Sequence, residues 1–201
     1  MTNKSVNIIQ IFMEHIKNSD TENFIRNILF CFGAPTIKGL KAACLINFRR
    51  NQDEDMRTIW KLNASKWLDS LGVEWLLLNE HEKFNNNALV MIYRRELLSR
   101  ALTCKKACEI LERQGYPVNN LDSCLKCLCE KFCSSFPHEI GLFLDYPPDD
   151  VKCFMENKRA KNLLKPSYWK VYSNSNIKKA RRTYRKYKRA EYDAARMILS
   201  L

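Results

Sequence analysis

A chain of 201 residues with 46% apolar and 28% charged side chains has the composition of one globular domain rather than of a disordered chain, and it is long enough to bury a core without metals or disulfides. Its net charge of +12 lies wholly in the last quarter, since residues 1–150 carry 19 basic and 19 acidic side chains and residues 151–201 carry 15 and 3. The most apolar runs, Trp75–Leu78 and Leu142–Leu144, are far too short to cross a bilayer, which excludes a membrane-spanning reading. Nine cysteines make an odd count, and the short apolar run near Ile8–Phe12 has no basic segment before it. Free thiols of a soluble protein in a reducing cytoplasm are therefore expected.

Val6, Ile9, Phe12, Met13 and Ile16 recur at helical spacing and predict an amphipathic helix over 5–17. Ser19-Asp20-Thr21-Glu22 stops it and caps a second helix, whose Phe24, Ile25, Ile28, Leu29 and Phe32 line one face. Gly33-Ala34-Pro35-Thr36 breaks the pattern. A third helix is predicted from Pro35 or Thr36 to Phe48, with Leu40, Ala43, Cys44 and Asn47 on successive turns. After a polar loop at 49–55, a helix over Met56–Leu71 closes at Gly72. Val73–His81 and Ala88–Arg94 flank Lys83-Phe84-Asn85-Asn86-Asn87 and predict an antiparallel hairpin. Helices follow at 96–101, 105–114, 121–134, 138–144 and 148–157, the last favoured by Pro148 in its first turn and by Asp149 and Asp150 at its positive end. Tyr168–Tyr172 alternates and predicts the third strand, and a final helix covers 176–199. The fold class is α+β: mostly helical, with a small antiparallel sheet of about three strands and a basic C-terminal helix. One domain is placed at 21–201, with residues 1–20 as an N-terminal helix whose membership in it stays open.

Pro137-His138-Glu139-Ile140-Gly141-Leu142-Phe143-Leu144 with Tyr146-Pro147, and then Tyr168-Trp169-Lys170-Val171-Tyr172, resemble the bacterial family known as domain of unknown function 3793. Ala34-Pro35-Thr36 with Gly39-Leu40-Lys41 is similar to its N-terminal motif, and Tyr93-Arg94-Arg95-Glu96-Leu97-Leu98 to its central one, so that the resemblance covers about residues 25–192. No activity is established for the family. The resemblance implies a setting in anaerobic Gram-positive bacteria and an association with flavodoxins and iron. It marks Pro35, Thr36, Lys41, His138, Glu139, Gly141, Tyr146, Pro147, Trp169 and Lys170 as motif positions, read here as structural. Relatives carry His-Cys where this chain has Phe32-Gly33, a cysteine where it has Lys165-Pro166-Ser167, and another near Ala190. A metal or redox role of those groups is accordingly not expected here. Asp145 replaces the family's glycine and is expected to take a left-handed helix stop at a cost of ~1 kcal/mol.

His138-Glu139 offers an imidazole beside a carboxylate, an acid/base pair in one reading and the start of a packed helix, with Gly141 admitting a neighbouring element, in the other. No nucleophile, phosphate loop or second carboxylate accompanies it, so catalysis is not favoured and no cofactor is expected. Cys124, Cys127, Cys129 and Cys133 point to different sides of one helix and cannot converge on a metal. Cys104 and Cys108 lack the paired knuckle spacing, so no metal site is assigned. In the final helix Lys178, Lys179, Arg181, Arg182, Arg185, Lys186, Lys188 and Arg189 cluster on one side without an acid among them, opposite Ile177, Ala180, Tyr184, Tyr187, Ala194 and Ile198. That ridge, with Tyr168 and Tyr172 as exposed contacts beside a core Trp169, implies a non-enzymatic binding protein for an acidic partner, with flavodoxin a candidate. The alternative partner is RNA or single-stranded DNA, neutralised by the same cations. A thiol or metal redox protein is the third reading.

Overall fold

The computed structural model describes residues 7–50, 54–80 and 86–200. The predicted roles of Val6, of loop positions 51–53, of His81 and of turn positions Lys83, Phe84 and Asn85 fall outside those residues. Helix α1 (Ile8–Ile16) starts where Asn7 accepts the Ile9 amide, and buries Phe12 and Ile16 completely. Helix α2 (Thr21–Phe32) begins at Asp20, whose carboxylate accepts the Asn23 amide at 2.8 Å. A single turn, α3 (Ala34–Ile37), follows.

Here the predicted long helix fails. Gly39 takes φ +67°, a left-handed stop that glycine adopts without strain. The chain then runs out as strand β1 (Ala43–Phe48). Helix α4 (Met56–Leu68), capped by Asp55, ends through one tight turn at Gly72. Strands β2 (Glu74–Leu77) and β3 (Ala88–Tyr93) form the expected antiparallel pair. β1 pairs with the other side of β3 in the register Ala43↔Tyr93 to Phe48↔Ala88, so that the sheet order is β1-β3-β2. The third strand is thus residues 43–48 and not Tyr168–Tyr172.

The rest of the chain is helical: α5 (Arg95–Leu102), α6 (Lys105–Arg113), α7 (Leu121–Phe132), the short α8 (Ile140–Phe143), α9 (Pro148–Glu156) and α10 (Asn174–Leu199). Period-two alternation along the strands divides the core in two. Ala88, Val90 and Ile92 of β3, with Cys44, Ile46 and Phe48 of β1, face α1, α2 and α4, where Phe48 stacks on Trp60 at 5.2 Å. Met91 and Tyr93, with Ala43, face α5 to α9 and meet Leu98, Leu111, Leu125 and Phe143. Apolar cover on both faces explains why the strands read as continuous hydrophobic runs. α10 packs along α1 and also meets α2 and α3, beside β1. Residues before 21 therefore share the first core, through Phe12 and Ile16.

Candidate functional site

Helix α10 separates two environments. Lys178, Lys179, Arg181, Arg182, Arg185, Lys186 and Arg189 are all exposed. At 100° per residue these seven fall within an arc of about 160° and extend about 17 Å along the axis. None of them forms a salt bridge among the described residues, and the one ion pair of this stretch belongs to Lys188. That lysine turns inward: its Nζ donates to Glu191 Oε2 at 2.6 Å, and Glu191 is only 3% exposed. The buried side of the helix consists of Ala180, Tyr187, Ala190, Glu191 and Ala195.

Behind this inner side, along the outer edge of β1, lies a cavity of about 510 Å³ bounded by Phe32, Pro35, Lys41, Cys44, Tyr146 and Tyr168, with Lys188 and Glu191 also on its wall. Local geometry aims Lys41 into it. The Pro35 carbonyl accepts the amides of both Leu40 and Lys41, folding the Gly39 turn back on α3. Arg94, from the central motif, donates through its guanidinium to the carbonyls of Thr36, Ile37 and Leu71. Lys41 is buried, yet its Nζ has no hydrogen-bond or ion-pair partner among the described residues. It faces the rings of Tyr146, Tyr168 and Tyr187 at 5.4, 5.5 and 5.8 Å. Burial pulls its amine below the usual lysine range, against the opposing influence of Cys44, Glu191 and Asp145. Burial likewise pushes the Cys44 thiol up. The Tyr168 hydroxyl donates to Glu191 Oε1 at 2.5 Å, and burial followed by that bond raises its phenol.

The Tyr168–Tyr172 segment is anchored by side chains instead of a strand partner. Asp150, at the start of α9, accepts from the Trp169 indole at 2.8 Å, from the amides of Tyr172 and Ser173, and from the Asn176 side chain. Asn162 accepts the Val171 amide at 2.9 Å. With these backbone groups satisfied locally, the segment needs no ladder. Trp169 stacks on Tyr146 at 5.4 Å and is in the core, as alternation implied. Tyr168 and Tyr172 are half-buried, and the Tyr172 hydroxyl is enclosed without a partner among the described residues.

The structure therefore brings Pro35, Lys41, Tyr146, Tyr168 and Lys188 to one cavity and leaves seven cations outside it. Thr36 lies wholly buried in α3. His138 and Glu139 diverge: the imidazole stands between the rings of Phe136 and Phe154, while Glu139 accepts the buried Tyr116 hydroxyl at 3.0 Å. Gly141 lies against Val151, Pro147 caps α9, and Lys170 reaches over Phe154 to the Lys158 carbonyl. Among the described residues no three His, Cys, Asp or Glu side chains are placed to hold a metal ion. Cys104 and Cys133 are exposed, and Cys31, Cys44 and Cys124 are buried.

Sequence reasoning missed Glu191, Asp150, Cys44 and Arg94. Glu191 did leave a signal, as an acid on the apolar stripe of a basic helix. Asp150 left none beyond its favourable place at a helix start. No helix among the described residues is long and apolar enough to cross a membrane. No curated protein and no solved structure matches the chain. Residues 29–200, which hold all four motifs and every wall of the Lys41 cavity, match the family described as Protein of unknown function (DUF3793), and the chain belongs to that family.

Proposed function

We propose that the protein is a non-enzymatic docking module whose α10 ridge engages an acidic partner protein. The observation that carries this reading is the set of seven exposed cations on one face with no ion pair among the described residues. Charge runs that merely solvate a helix usually mix signs, so that i,i+4 pairs offset repulsion. Here no ion pair among the described residues offsets the repulsion, and a complementary acidic surface relieves it. A face about 17 Å long suits a small, transient interface dependent on charge. Flavodoxin, brought forward by the family resemblance, is the first partner to test.

A nucleic-acid partner would use the same cations, but single-strand binding also draws on exposed aromatic faces. Tyr168 and Tyr172 offer little of that, since the first is tied to Glu191 and the second is enclosed. The test is a titration of a flavodoxin and, in parallel, of generic single-stranded RNA, at low and physiological salt. It uses the native chain and the triple reversal Arg182→Glu, Arg185→Glu, Arg189→Glu. Binding of the flavodoxin that the reversal abolishes supports the reading. Binding that survives reversal refutes a role for the ridge, and a steep linear fall of log affinity with log salt for RNA alone moves the partner to nucleic acid.

A further inference from the structure

The cavity behind α10 makes no use of the ridge, and its chemistry is different. Lys41 is the one buried lysine among the described residues, and it ends in a chamber of about 510 Å³, a volume within the range of small-molecule sites. Its amine has no acceptor among the described residues, while the walls offer the Tyr146 and Tyr168 rings and the apolar Pro35, Leu45 and Leu144, and the Tyr187 ring lies 5.8 Å from Nζ. An amine without an acceptor at the wall of such a chamber is a nucleophile placed to meet an electrophile. We propose that Lys41 is an imine-forming lysine and that the chamber takes a small aldehyde or ketone with an apolar or aromatic body.

Burial supports this by favouring the neutral amine, whose lone pair the reaction needs. That pair forms the C–N bond to the carbonyl carbon as the C=O π pair moves to oxygen, and one nitrogen proton passes to the oxygen. A second proton then reaches the hydroxyl, the C–O bond breaks, and water leaves. A protonated imine with a single positive charge remains. The Lys188 ammonium, on the same wall and bonded to Glu191, is placed to supply the incoming proton. No oxidant or reductant takes part. The ring faces of Tyr146, Tyr168 and Tyr187, with the Glu191 carboxylate, suit the cationic product.

The experiment treats the full chain at neutral pH with benzaldehyde, a neutral probe that the ridge does not attract, and traps imines with cyanoborohydride. Peptide mass spectrometry then times the modification of each lysine. Lys41 should be modified first, to one equivalent per chain and about tenfold faster than any lysine of α10. Lys41→Arg, which keeps a long cation in place, should remove that fast phase and leave the slow labelling of other lysines unchanged. Lys188→Gln should keep the position of labelling and slow it. Labelling of Lys41 no faster than that of exposed lysines in the native chain overturns the proposal without reference to any variant. A fast phase that persists in folded Lys41→Arg overturns it as well. A chamber that instead binds inorganic phosphate through a Lys41 ammonium would show slow Lys41 labelling, and counts against it.

Discussion

The Asp150 carboxylate and the Trp169 indole meet at 2.8 Å, both buried, and this bond joins the start of α9 to the segment that leads into α10. Three further donors converge on the same carboxylate: the amides of Tyr172 and Ser173 and the Asn176 side chain. Removing it strands the buried indole, at a cost of about 1–3 kcal/mol, and three part-buried donors at smaller cost each. Asp150→Ala is expected to lower stability by about 3–5 kcal/mol, and Asp150→Asn, which keeps shape and one acceptor, by less. Urea unfolding followed by tryptophan fluorescence measures both. A loss below about 1 kcal/mol for the alanine variant would show that the segment is held by other contacts.

Gly141 sets the spacing between α8 and α9. A Cβ at that position would stand 2.8 Å from Val151 Cγ2 and 3.3 Å from a Tyr146 ring carbon. Gly141→Ala therefore overpacks and should cost about 1–3 kcal/mol. Val151→Ala opens a cavity and carries its own cost, yet it makes room for the new methyl. The double variant should be more stable than the sum of the two losses predicts, by about 1 kcal/mol or more. Simple additivity in denaturant titrations would place the strain elsewhere.

These two sites show which parts of the fold the residues disclose. Local signals held where they acted alone: Asp20 caps a helix, Asp145 takes φ +59°, and Gly141 admits Val151. Both misread segments depend on distant partners. Leu40, Ala43, Cys44 and Asn47 fit a helical face, but β3 offers residues 43–48 a strand partner on each register position, and Gly39 ends the preceding turn. Tyr168–Tyr172 alternates like a strand, but Asp150 and Asn162 take its amides. The ridge was legible because helical periodicity displays it directly. The Lys41 cavity was not, because its walls come from residues as far apart as Phe32 and Glu191.

The ridge carries a stability prediction that separates binding from folding. Arg185 has Arg181 and Arg189 four residues away on either side, and Arg182 and Lys188 three away, all on one helix. Like charges at those spacings destabilise a helix, and opposite charges stabilise it by a few tenths of a kcal/mol per pair. Arg185→Glu should thus raise the melting temperature slightly, by roughly 0.5–1 kcal/mol of stability at low ionic strength, while weakening partner binding. The gain should shrink at high salt as the charges are screened. A destabilised Arg185→Glu chain would mean that the arginine supports the fold, and the binding titrations would then need a different reversal.

Alkaline stability should report the buried thiols. Burial pushes Cys31 and Cys124 from an ordinary value near 9 up to about 12, and Tyr187 from 10 to about 12. In the unfolded chain the thiols lose their protons once pH passes about 9, whereas the folded chain holds them until about 12. The folded state then binds more protons than the unfolded one, so stability falls as pH rises through that window. Each thiol contributes up to about 1.4 kcal/mol per pH unit. Below about pH 8 neither group affects the slope. Urea midpoints measured from pH 8 to about 11 should therefore decline steeply in the native chain and less steeply in Cys31→Ala/Cys124→Ala. The double variant should itself be less stable at neutral pH, because both sulfurs fill core positions that are 0% and 2% exposed. The two chains should consequently converge in stability as pH climbs, and parallel declines would mean that the two thiols ionise in the folded protein as readily as in water.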